Sequence, residues 1–130
     1  MIYIIFALKA EAQAFVDKKL DLNIVISGIG SKNMYNTTKN IVELMSEDDV
    51  IVNIGICGAN QKFEIGELLD ISMPMKRVND SFTLTCVDNE VDDKNKYEIV
   101  DMESSGFIGA TNQIKNRYMF KIVSDHFEPK

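Results

Sequence analysis

Val50-Ile-Val-Asn-Ile-Gly-Ile-Cys-Gly-Ala59 is the stretch whose reading decides the fold. A nearly continuous apolar run rich in β-branched residues marks a strand covered on both faces. Gly55 and Gly58 inside it predict that the strand breaks into a sharp turn at its carboxyl end, where bare backbone lets another group come close. In open α/β sheets ligands bind at that end of the strands. Three acids far apart in sequence, Glu11, Glu103 and Asp125, each stand just beyond a similar apolar segment. The fold is expected to gather their carboxylates at the rim of this glycine turn.

Upstream, Met1 to Ala7 reads as a strand. Lys9 to Leu20, with Ala10, Ala14, Phe15 and Val16 among charges, reads as an amphipathic helix. Leu22 to Ile26 is a second apolar run, ending in the glycine turn Ser27-Gly28-Ile29-Gly30, and Ser31 is placed to cap a helix over Lys32 to Met45. Downstream, Leu68 to Met73 reads as a strand stopped by Pro74, followed by strands at Phe82 to Val87 and Tyr97 to Val100. Gln61 to Glu64 and Asp88 to Lys96 read as loops. Met102 to Ile114 is expected to be helical despite Gly106 and Gly109. Each glycine costs about 1 kcal/mol in a helix interior, so their presence points to tight packing on the sheet. Tyr118 to Val123 is the last strand. This alternation predicts an α/β protein: one domain over residues 1–130, three layers, and a mostly parallel central sheet. After Asp125 only five residues remain, so the last strand is expected to lack the covering helix of a doubly wound sheet.

Composition narrows the partners. The chain has 130 residues, 45% hydrophobic and 26% charged, enough for one core. A net charge of −6 argues against a nucleic-acid or anionic-membrane surface, which needs a basic field. No run approaches the roughly 18 apolar residues of a membrane span. Met1 to Leu8 has no charged leader or cleavage site and is expected to be a strand, not a signal peptide. Cys57 and Cys86 stand alone, as in a reduced, cytoplasmic protein whose thiols act as small hydrophobes. His126, the only histidine, reads as a surface residue near the end of the chain.

Four stretches together resemble the nucleoside phosphorylase and nucleosidase superfamily, and within it the methylthioadenosine/S-adenosylhomocysteine nucleosidases. They are Ile5-Phe6-Ala7-Leu8-Lys9-Ala10-Glu11; Ser27-Gly28-Ile29-Gly30 with Lys32-Asn33; Val52-Asn53-Ile54-Gly55-Ile56-Cys57-Gly58-Ala59 with Ile65-Gly66-Glu67-Leu68-Leu69-Asp70; and Val100-Asp101-Met102-Glu103-Ser104-Ser105 with Val123-Ser124-Asp125. The resemblance implies a truncated phosphorylase/hydrolase-like fold, no metal and no cofactor, a small-molecule nucleoside as ligand, and a homodimer. It implies that Glu11 deprotonates the attacking water and that Glu103 holds the ribose hydroxyls. Met102 would lie against the sugar, Asp125 would help protonate the purine, and Ile54 and Gly55 would line the pocket wall. Cleavage of an N-glycosidic bond builds positive charge on the sugar and negative charge on the leaving base, which two kinds of acid relieve, much as in glycoside hydrolysis.

Each acid also has a plainer role. Glu11 and Glu103 suit helix starts, and Asp125 suits a strand-end turn. A phosphate nucleophile needs arginines or an equivalent donor set. The phosphorylase branch carries its arginines in regions that here hold Lys9 and Asn53, and Arg77 and Arg117 match neither. Water is therefore the expected nucleophile. Relative to that family the chain is shortened: it lacks a hairpin, most of the base-pocket segment between Met73 and Phe82, a terminal helix and a base-stacking aromatic, with Glu90 where the aromatic is expected. Two functions remain open at this point, a hydrolase of purine nucleosides or 5′-thionucleosides and a non-catalytic relative that binds a nucleoside or purine or only serves as a scaffold.

Overall fold

In the computed structural model, which describes residues 1–16, 22–73, 75–91 and 96–127, the Val50 stretch is one unbroken strand. The order of elements is β1 (Ile2–Phe6), α1 (Lys9–Val16), β2 (Asn23–Ile26), α2 (Ser31–Leu44), β3 (Val50–Ala59), β4 (Leu68–Asp70), β5 (Arg77–Val78), β6 (Phe82–Cys86), β7 (Ile99–Asp101), α3 (Ser104–Ala110) and β8 (Arg117–Asp125). The expected strand stop at Pro74, the end of the first helix and the middle of the Asp88 loop lie outside the described residues.

The turn expected at Gly55 and Gly58 is not there. Neither glycine has a positive φ, and β3 runs through both, irregular only where its register with β8 shifts between Cys57 and Gly58. A strand paired along both edges leaves its backbone no freedom to turn. β3 pairs in parallel with β1 over its first half and with β8 along most of its length. Its last residues pair antiparallel with β7. The sheet has eight strands, ordered β2-β1-β3-β7-β6-β5, with β8 joining β3 and β4 on the other side. β1–β2, β1–β3, β3–β8 and β6–β7 are parallel, whereas β3–β7, β4–β8 and β5–β6 are antiparallel. The result is a single-domain α/β fold around a curled, mixed sheet.

Two apolar layers hold it. On one face α2 and α3 pack through Met34, Ile41 and Phe107 onto Ile5, Ile51, Leu84 and Met119. On the other, Ala12 of α1 packs with Ile4, Phe6 and Val52. Helix α3 is shorter than its sequence pattern suggests. It ends where Thr111 donates its hydroxyl to the Phe107 carbonyl, 2.7 Å away. Among the described residues no helix is long and apolar enough to cross a membrane. The second face is covered only in part: Ile56, Ile122 and Leu68, neighbours across β3, β8 and β4, are exposed.

Candidate active site

Six chain segments converge at the carboxyl ends of β1, β3 and β8. They enclose a cleft of about 270 Å³ whose lining includes Glu11, Met102, Glu103 and Asp125. Ile54 and Gly55 stand below it. Because β3 does not turn at Gly55, the wall falls further along the strand, at Ile56, Cys57 and Gly58. Ile54 packs instead against the core around Ile4 and Phe6.

Glu11 belongs to the first turn of α1. The Leu8 N–H donates to its Oε1 at 2.8 Å, the backward bond of a capping box. This fixes the carboxylate at the helix start while it faces the cleft, so the plain role and the site position coincide. A Cβ at Gly55 would stand 3.1 Å from Lys121 Nζ and 3.9 Å from Glu11 Oε2. The missing side chain thus makes room for the Lys121 ammonium near the Glu11 carboxylate.

Glu103 sits just before α3 yet caps nothing with its side chain. Asp101 does that work: its Oδ2 accepts the Ser104 N–H at 2.8 Å and the Glu103 N–H at 3.2 Å. Glu103 is thereby released to reach α2, where the Gly30 N–H donates to its Oε2 at 2.8 Å. Gly30, not Ser31, is the N-cap of α2 and has φ 101°, a left-handed conformation that glycine adopts readily. The positive end of α2 is thus turned on a carboxylate. Glu103 is only 7% exposed, and burial pushes its carboxyl above the usual carboxylate range. The Gly30 amide and Lys121 pull it back, and Asp101 and Glu11 push it up.

Lys121 is the residue sequence reasoning passed over. It lies inside the β8 apolar run, fully buried. It donates to Asn53 Oδ1 at 2.9 Å and pairs with Asp101 Oδ2 at 3.0 Å. Asn53 in turn donates to the Ile5 carbonyl at 3.1 Å. Two signals were in the sequence: a lysine in Met-Phe-Lys-Ile-Val and an asparagine in Val-Ile-Val-Asn-Ile. A polar residue in a run buried on both faces requires a partner.

Asp125 ends β8. Its Oδ2 accepts the Ser124 hydroxyl at 2.8 Å and its Oδ1 the Phe127 N–H at 3.0 Å. Asn89 and Glu90 also line the cleft. Burial pushes the Cys57 thiol up to about 12, so it stays neutral and unreactive. Among the described residues no group of His, Cys, Asp and Glu side chains could hold a metal ion.

No protein-family model matches the chain, and no curated protein sequence matches it. Solved structures do. The chain is similar over 99% of its length to an MTAN variant of Chlamydia trachomatis, covering 83% of that chain, with TM-score 0.77 and 19% identity. It is similar over 98% of its length to a futalosine hydrolase of Helicobacter pylori, covering 86% of that chain, with TM-score 0.76 and 12% identity. An AMP nucleosidase of Bacteroides thetaiotaomicron matches over 99% of this chain and 80% of its own, with TM-score 0.70 and 14% identity. At such identities the likeness carries the fold and leaves the reaction to the residues. The fold of this chain is that of the nucleosidases.

Proposed function

We propose that the chain is a nucleosidase that hydrolyses the N-glycosidic bond of a purine nucleoside or 5′-thionucleoside. One observation carries the proposal: three carboxylates distant in sequence, Glu11, Glu103 and Asp125, line a single cleft of nucleoside size. Glu103, with Met102 beside it, binds the ribose hydroxyls. Water stands in the cleft beside Glu11. As the bond from C1′ to the base nitrogen breaks, its electron pair goes to the base and positive charge grows on the sugar. The carboxylates stabilise that charge, and Glu11 takes the proton of the water that attacks C1′. Asp125 delivers a proton to the imidazole nitrogen of the purine. Acid–base help of this kind is typically worth about 10²–10⁴ in rate.

The test is release of free base from 5′-methylthioadenosine, S-adenosylhomocysteine, a futalosine-type compound, inosine and adenosine. Glu103→Gln and Asp125→Asn serve as controls and are expected to lose about 10²–10⁴ in turnover. Turnover that ignores both substitutions rejects the mechanism. Nucleoside binding without turnover supports the non-catalytic reading in its place.

The same proposal includes a homodimer and a cytoplasmic location. The exposed row of Ile56, Ile122 and Leu68 begins at the cleft wall and is the kind of apolar patch that a partner covers. Light scattering showing a monomer rejects the dimer. Two free thiols fit a reducing compartment.

A further inference from the structure

We infer that Phe127 is the positioning residue for Asp125: its buried ring, seated over Gly58, locks the turn after β8 in the conformation that aims the Phe127 N–H at the Asp125 carboxylate. The inference rests on the nucleosidase reading and deepens it, since that reading gives Asp125 the proton that goes to the base.

The ring itself offers a ligand no face. Phe127 is 2% exposed and packs against bare backbone. A Cβ at Gly58 would lie 2.7 Å from its Cε1 and 2.9 Å from its Cδ1, so glycine there makes the seat for the ring. What the seat secures is the backbone. Phe127 has φ 63°, a conformation rare for a bulky residue and kept only where its surroundings impose it. In that conformation its N–H donates to Asp125 Oδ1 at 3.0 Å. The same oxygen would stand 3.0 Å from a Cβ at Gly58, so ring and carboxylate rest on one piece of β3. Between them, His126 hydrogen-bonds through Nε2 to the Phe63 carbonyl at 2.7 Å and ties the turn to a second segment. Oδ1 is thereby fixed, and Oδ2 is the oxygen left to carry a proton. The Ser124 hydroxyl donates to Oδ2 at 2.8 Å, and its single proton has a second acceptor in the Cys57 carbonyl at 3.3 Å. With the hydroxyl turned to Cys57, a protonated Oδ2 is free to donate. An acid that serves a leaving base has to meet one ring nitrogen within hydrogen-bond reach, and a misplacement of about 1 Å can cost about 10²-fold. A turn without the seated ring would let the carboxylate rotate away from that point.

The experiment is a double-mutant cycle on the full chain. Phe127→Ala and Asp125→Asn are made alone and together, with a melting curve of each. The readout is kcat/KM for base release from the fastest-cleaved of 5′-methylthioadenosine, S-adenosylhomocysteine and inosine. Phe127→Ala is expected to lose about 10²-fold when Asp125 is present and nothing further in the Asp125→Asn background, because the two residues act as one unit. A ring that only stabilises the fold would lower both backgrounds by the same factor. That result, or a folded Phe127→Ala as active as wild type, overturns the inference, while slow turnover by Asp125→Asn keeps the nucleosidase reading intact. Phe127→Leu refills the seat and is expected to recover most of the loss; a leucine variant as slow as the alanine one also overturns the inference. If wild type cleaves no nucleoside, or Asp125→Asn cleaves as wild type does, the part of Asp125 in the nucleosidase reading falls and the inference falls with it. Should Phe127→Ala not fold, Phe127→Val takes its place in the cycle and the same outcomes decide.

Discussion

At the end of the cleft that the proposal gives to the sugar, here called the sugar end, Glu103 is bonded to Gly30, 73 residues away in sequence, and Lys121 below it is bonded to Asn53, 68 residues away. At the end that the proposal gives to the base, here called the base end, Asp125 is bonded to Ser124 and Phe127, one and two residues away. The first end is pinned by strands and helices from across the sheet; the second rests on a local turn. Long-range ties fix geometry to the accuracy of the sheet, which suits a group that must meet a developing charge. A local turn can be rebuilt without disturbing the core, which suits the part that selects a base. The contrast implies that damage at the sugar end registers as lost folding energy, and damage at the base end as lost binding.

Lys121→Met is the largest expected break in that contrast. It leaves Asp101, fully buried, without its countercharge. Breaking a buried pair by removing one partner costs about 3–5 kcal/mol, readable as a lower urea midpoint. Asp125→Ala removes only local bonds and is expected to cost about 1 kcal/mol. The double variant Lys121→Met/Asp101→Asn should recover part of the loss, since the two effects share one interaction. Equal costs for Lys121→Met and Asp125→Ala would erase the distinction between the ends.

Gly106→Ala comes next. A Cβ there would lie 2.0 Å from the Ser31 carbonyl and 2.9 Å from the Tyr35 nitrogen, both backbone atoms of α2. Helix α2 has to shift, which carries the Gly30 N–H away from Glu103. Overpacking of this kind typically costs about 1–3 kcal/mol, and nucleoside turnover should fall with it. Gly109→Ala is the internal comparison. Its Cβ would meet the Tyr35 ring at 3.7 Å, an ordinary contact, and alanine is the better helix former by about 1 kcal/mol. It should therefore melt no lower than wild type. If both variants behave alike, the close approach of α3 to α2 does not hold the sugar end.

Gly55→Ala presses on that same end from below. The added methyl meets Lys121 Nζ at 3.1 Å, and Lys121 is held by Asn53 and Asp101. A loss of about 1–3 kcal/mol is expected, readable as a lower urea midpoint. A variant as stable as wild type would mean that those two bonds do not hold the lysine in place.

Much of this arrangement was readable in the sequence, and the parts that were not share a cause. Period-two and continuous apolar runs located β1, β2, β3, β6, β7 and β8, and helical spacing located the helices, because those signals are local. β5 was missed because two residues, Arg77 and Val78, carry no period. The turn assigned to Gly55 and Gly58 was wrong in form. A glycine that permits a bend and a glycine that admits a neighbour look the same in sequence, and only the partners Lys121 and Phe127 distinguish them. Glu11, Glu103 and Asp125 could be singled out as acids at segment ends. Asp101, as a buried ion-pair partner, could not, since that role depends on Lys121 arriving from β8.

The smallest expected effect concerns protons. Burial raises the Glu103 carboxyl above its ordinary 4.5, against the pull of Gly30 and Lys121 and with the push of Asp101 and Glu11. The folded chain therefore keeps this proton at a pH where the unfolded chain has released it, and folding is favoured while the group is neutral. That contribution is fully present below about pH 4.5 and is lost as pH rises through the folded value. Glu103→Gln cannot ionise and escapes the loss. Its melting temperature relative to wild type should thus climb as pH is raised from about 4.5 towards 7, whatever its offset at the acid end. A difference that stays flat over that interval would mean that Glu103 meets the same surroundings folded as unfolded. The sugar end would then be as open as the base end, and the contrast between them would vanish.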